Sequence, residues 1–172
     1  MNTKQLCRSA IIAALYVAIT LIFAPFAFGP LQVRPAEAFC LLPLLFPESI
    51  FGLTIGCALS NLASPFVLYD VSFGSLATFL ACICTYLVGK KIKNTALKIT
   101  IGGIFPVLFN ALIIPFVIVV LCGDMGGYNS AFIAYLWYAF SIFLTQAVWV
   151  YGLGTPLYLT TAKLQKKVSF LR

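Results

Sequence analysis

Residues 71–122 read VSFGSLATFLACICTYLVGKKIKNTALKITIGGIFPVLFNALIIPFVIVVLC. Two apolar runs, residues 71–89 and 101–122, enclose a gap that holds Lys90, Lys91, Lys93 and Lys98. About 20 apolar residues in helical form cross a hydrocarbon core of about 30 Å. Both runs meet that length, so the stretch reads as two membrane-spanning helices joined by a basic loop. Lysine and arginine are retained on the cytoplasmic side of membrane proteins, which puts this loop inside.

Working outward, residues 11–28 and 131–151 are further apolar runs of spanning length or close to it. Lys4 and Arg8 precede the first, and Lys163, Lys166, Lys167 and Arg172 follow the last. An even number of crossings between successive clusters puts all three clusters, and both termini, in the cytoplasm. Of the 11 basic residues only Arg34 is left on the outer half.

Composition agrees. The chain has 172 residues, 62% hydrophobic and 9% charged, with a mean hydropathy of +1.06. We expect a single transmembrane domain over residues 1–172. The net charge of +7 is the sum of the orienting clusters; it attracts anionic lipid headgroups and does not point to nucleic acid. The first run lacks a small-residue cleavage site and further spans follow it, so it does not read as a signal peptide. The six cysteines show no disulfide-framework spacing. There is no histidine, which removes the commonest metal ligand and the commonest general base. No enzyme, metal site or cofactor is therefore expected, and without a Walker A sequence any ATP-driven work falls to other subunits.

Between the first run and residue 71 lie two shorter apolar segments. Residues 38–46 are closed by Pro47 and Glu48. As an α-helix rising 1.5 Å per residue, so short a run covers only about half the bilayer core. Residues 50–62 form the next, with Tyr69 and Asp70 in the loop after it. Gly152, Gly154 and Pro156 are expected to kink the last helix. The expected fold is an all-α bundle of six transmembrane helices. Four crossings plus a re-entrant hairpin at residues 38–64 has the same parity.

Arg34, Glu37, Asp70 and Asp124 fall on the outer half. Ionisable groups within membrane spans are costly and mark ligand or ion paths by default. Glu37, at the mouth of the short helix, is the sharpest candidate; an Arg34–Glu37 pair that merely fixes the loop is the alternative. Asn110 lies mid-span, where it either bonds a neighbouring helix or faces a cavity, and Gln146 is similarly placed. Tyr128, Tyr135, Trp137 and Tyr138 are interfacial anchors or a stacking wall for a planar ligand. Ala10, Ala14 and Ala18 line one face of the first helix, and Gly52, Gly56 and Ser60 one face of the third. Such small residues serve close packing within the chain or docking of another membrane protein.

The segment FGPLQVRPAEA (residues 28–38), the stretch at residues 52–81 containing DVSFGSLAT, and PVLFNALI (residues 106–113) resemble the QueT family. These are small S components of energy-coupling factor (ECF) transporters. The resemblance implies an S-component bundle in the cell membrane that captures a queuosine precursor outside the cell. The implied ligand is a 7-deazaguanine such as pre-queuosine 1, which bears an aminomethyl group. It also implies a membrane-embedded coupling subunit, two cytoplasmic ATPases, and delivery of the ligand by toppling in the bilayer. Ala10, Ala14 and Ala18 match the Ala-x-x-x-Ala face that docks on the coupling subunit.

A carboxylate can accept two hydrogen bonds from the pairing edge of a deazaguanine, a role suited to Glu37. Arg34 would orient Glu37 or donate to the ring carbonyl, Asp70 would face the ammonium, and Asn110 would serve either edge. Trp137 or Tyr138 would stack on the ring. Competing readings are an S component for another vitamin or nucleobase, and a ligand-free membrane scaffold. The scaffold predicts that Glu37 and Asn110 pair internally and that no cavity exists.

Overall fold

The computed structural model describes residues 1–28 and 32–167, and all its regular elements there are helical. We label the main ones α1 (Thr3–Ile22), α2 (Pro35–Leu44), α3 (Ser49–Ala63), α4 (Val67–Lys91), α5 (Thr95–Leu121) and α6 (Ala131–Gln165). Four of these, α1, α4, α5 and α6, are long and apolar enough to cross a membrane. The side chains they turn outward are apolar, among them Ile11, Leu76, Leu112, Phe140 and Val148. A surface of that kind suits lipid rather than water, and the chain is an all-α membrane protein.

Local chemistry sets the helix ends. Asn2 caps α1 by accepting from the Gln5 N–H, while the Gln5 side chain accepts from the Asn2 N–H, both at 2.9 Å. This reciprocal arrangement satisfies two N–H groups that the helix leaves without partners. Asn94 caps α5 through the N–H groups of Ala96 and Leu97. Lys90 and Lys91 close α4, where positive charge complements the helix dipole.

Two expectations need correction. First, α2 is a 3₁₀-helix, not an α-helix. At about 2.0 Å per residue it reaches about 20 Å, well over half of a hydrocarbon core. Second, Asp70 is not in a loop: α4 starts at Val67, and Asp70–Gly74 form a π-helical turn within it. The polar and small residues Asp70, Ser72 and Gly74 imitate loop composition, but the Ser72 hydroxyl returns to the Leu68 carbonyl and the helix continues. A π-helical turn over Val148–Leu153, with Gly152 inside it and Gly154 and Pro156 just after, lies where the last helix is expected to be disturbed. A widened turn there accommodates the N–H that proline lacks.

Every residue of α2 is buried, and it packs against α1, α4, α5 and α6. It is the axis of the bundle. Alongside it, α1 and α3 approach closely: a Cβ on Gly52 would lie 2.5 Å from the Ser9 carbonyl oxygen, and one on Gly56 3.1 Å from that of Ala13. Of the two small-residue faces, Gly52 and Gly56 thus serve internal packing. Ala10, Ala14 and Ala18 stay exposed. With Leu6, Gly52, Ile55 and Leu59 they line a groove of about 580 Å³ along α1 and α3. Nearer the lysine clusters, Arg8 pairs with Glu48 at 2.7 Å and lies over the Phe46 ring, tying the base of α1 to the corner between α2 and α3.

Candidate functional site

The start of α2 carries Glu37 into the middle of the bundle, where it is 1% exposed. Three helices supply its donors. Tyr16 from α1 donates its phenol to Oε1 at 2.6 Å, and Asn110 from α5 donates Nδ2 to Oε2 at 3.3 Å. Cys40, one turn along α2, places its thiol 3.2 Å from Oε2. Arg34 supplies the compensating charge, with Nε 3.8 Å from Oε1. That distance gives Coulombic attraction without a hydrogen bond.

Arg34 is also fixed from α1 and α3. Its Nη2 donates to the Tyr16 phenol oxygen and to Asn61 Oδ1, each at 3.2 Å, and lies 3.7 Å from Cys57 Sγ. Phe28 packs on its guanidinium at 5.9 Å. Asn61 turns its amide to the Asp70 carbonyl at 2.7 Å, which links the network to the start of α4. The Thr78 hydroxyl contacts Cys57 Sγ from α4. A charge taken out of water is tolerated only with a counter-charge and filled hydrogen bonds. Tyr16, Asn61 and Asn110 meet that condition for Arg34 and Glu37.

The network is not closed. Arg34 Nε, Thr20 Oγ1, Ser75 Oγ, Ser141 Oγ and Gln146 Oε1 are buried and have no hydrogen-bond partner among the described residues. Buried polar atoms without partners are rare and call for an explanation. Ser75 lies one turn from Thr78 on α4, and Ser141 one turn from Tyr138 on α6.

Above the network, Phe28, Gln32, Phe66, Asp70, Ile118, Asp124 and Tyr138 line a cavity of about 60 Å³. The loop after α5 folds over it: a Cβ on Gly126 would lie 2.6 Å from the Tyr138 hydroxyl, and Gly126 has φ +57°. Glycine alone takes both constraints without strain.

Of the residues singled out from sequence, Arg34, Glu37 and Asn110 come together in one network, with Asp70 joined to it through Asn61. Tyr138 is buried at the cavity wall. Trp137 is 51% exposed and packs against Tyr128, and it is not among the cavity-lining residues. Gln146 is buried. Internal pairing of Glu37 with Asn110, expected of a ligand-free scaffold, is present; so is a small cavity.

Sequence reasoning missed Tyr16, Cys40, Cys57 and Asn61. A tyrosine in the middle of an apolar span was the available signal for Tyr16, since a buried phenol needs a partner. Among the described residues, no cluster of His, Cys, Asp or Glu side chains is placed to hold a metal ion.

A helical bundle with an apolar outer surface and a buried polar network at its centre defines an all-α membrane protein with a polar internal site. The chain belongs to the QueT transporter family, which matches residues 6–163. It is 35% identical, over 95 residues, to the queuosine precursor transporter QueT of Lactococcus lactis subsp. cremoris (strain MG1363). That match takes in 54% of this chain and 56% of the relative, so the chain spans little more than half the length of the relative. No solved structure matches the chain.

Proposed function

We propose that this chain is the substrate-binding subunit of an ATP-driven ECF importer, taking up a queuosine precursor. In this reading it lies in the cell membrane as a multi-pass protein. All six helices form the transmembrane bundle, and both termini face the cytoplasm. A 7-deazaguanine such as pre-queuosine 1 is captured from outside. Two cytoplasmic ATPases and a membrane-embedded coupling subunit then drive delivery inward by toppling.

The observation that carries the proposal is the Glu37 carboxylate, held by Tyr16, Cys40 and Asn110 in a buried network that leaves Arg34 Nε without a hydrogen-bond partner. A carboxylate positioned by three helices suits adjacent N–H donors on a nucleobase edge. Its oxygens are already engaged, so ligand entry exchanges the Asn110 contact, the longer of the two nitrogen or oxygen donors, for a bond to the ligand. A cavity of about 60 Å³ is far below the roughly 300–1,000 Å³ of small-molecule sites. A fused ring needs more room, which the loop after α5 provides by lifting. The exposed Ala10, Ala14 and Ala18 face supports coupling-subunit docking, because small residues allow close helix approach.

Thermal stability of the purified chain in detergent, with a panel of 7-deazaguanines, guanine and vitamins, tests the reading. A ligand that binds only the folded state raises apparent stability. Stabilisation by a deazaguanine supports the proposal, and stabilisation by a vitamin alone keeps the fold and replaces the substrate. The Glu37–Asn110 pairing favours one other reading, a ligand-free scaffold, which predicts no response from a folded chain.

A further inference from the structure

The end of the bundle away from the lysine clusters carries one guanidinium, Arg34, against three carboxylates, Glu37, Asp70 and Asp124. Glu37 is compensated by Arg34. Asp70 and Asp124 both line the small cavity, and no described basic side chain lines it with them.

Each of these two carboxylates is anchored by one oxygen. Asp70 Oδ2 accepts from the Ser64 hydroxyl, and Asp124 Oδ1 accepts from the Gly126 N–H at 2.9 Å. Among the described residues, Asp70 Oδ1 and Asp124 Oδ2 accept no hydrogen bond. Gln32 lines the same cavity, is 5% exposed, and makes no side-chain hydrogen bond among the described residues. It also has a φ of 48°, an uncommon backbone state for a non-glycine residue. Its amide is thus available to a group that enters the cavity. The remaining walls are aromatic: Phe28, Phe66 and Tyr138.

Carboxylates with free oxygens, an unpaired amide and aromatic rings make a receptor for a small organic cation. We infer that Asp70 and Asp124, with Gln32 between aromatic walls, form a subsite for a primary ammonium on a short arm, and that this subsite selects charged ligands over neutral ones. The inference rests on the queuosine-precursor reading, in which the ring lies toward Glu37 and the arm enters the cavity. About 60 Å³ suits an aminomethyl group and not a ring. Asp124 comes from the covering loop, so that loop closes on the ligand by its charge.

The test compares binding of 7-aminomethyl-7-deazaguanine and the neutral 7-cyano-7-deazaguanine to the full chain in detergent. It uses the natural sequence, Asp70→Asn and Asp124→Asn. Asparagine keeps an acceptor for Ser64 and Gly126, and a variant that still binds the cyano compound is folded. The natural chain should prefer the aminomethyl compound by about tenfold or more, the scale of a charge-assisted hydrogen bond. Each substitution should shrink that preference toward unity. An unchanged ratio in both variants, or a preference for the cyano compound in the natural chain, overturns the inference while the transport reading stands. Failure of both compounds to bind the natural chain overturns the reading and the inference together.

Discussion

The phenol of Tyr16 donates to Glu37 Oε1 at 2.6 Å while accepting from Arg34 Nη2 at 3.2 Å. One hydroxyl thus lies between the two charges, relaying a hydrogen bond where the direct Arg34–Glu37 contact is too long for one. It also ties α1 to α2. Tyr16→Phe should destabilise the protein by about 1.5–3 kcal/mol, the range for a hydrogen bond to a charged group. Thermal unfolding in detergent measures this, and an unchanged melting temperature would show that the relay carries no weight.

Gly52→Ala tests the packing of α1 on α3. The added Cβ would meet the Ser9 carbonyl oxygen at 2.5 Å, and backbone must move to admit it. Overpacking of this kind costs about 1–3 kcal/mol. The loss should appear in thermal unfolding with no ligand present.

Ala14→Leu tests the exposed face of α1. Ala14 is exposed and lines the groove. The variant should keep its stability to within about 0.5 kcal/mol, as exposed substitutions usually do. Under the proposed function it should bind ligand normally and fail to co-purify with a coupling subunit. Normal assembly would move the docking surface elsewhere.

Asn61→Leu separates the two ends of the network. Asn61 accepts from Arg34 and donates to the Asp70 carbonyl. Its loss leaves one buried donor and one buried acceptor short of a partner, at about 1–3 kcal/mol each. Thermal unfolding should detect the loss, and equal stability of the variant would show that other groups take over both bonds.

The membrane class was legible from residues 71–122 because span length and lysine placement are set by simple physics. Arg34, Glu37 and Asn110 were legible for a related reason: polar groups are expensive within an apolar run and stand out. The partners that make them affordable did not stand out. Cys40 and Cys57 lie within apolar runs, where cysteine passes for a small hydrophobe, and Asn61 lies at the end of one. A 3₁₀ path for α2 was hidden because its ten residues are buried on all sides, leaving no polar face to report a period. Asp70 was misplaced because a π-helical turn and a loop share small, polar composition.

Under the proposed function, Glu37 takes the ligand. Calorimetric titration of 7-aminomethyl-7-deazaguanine into the detergent-purified chain and its Glu37→Gln variant tests it most directly. Binding to the natural chain should be saturable, and the affinity of the variant lower by about tenfold or more, the loss of a charge-assisted hydrogen bond. Affinities within about twofold of each other fall below that scale. Such a result, or no binding to a natural chain shown to be folded, would contradict the account.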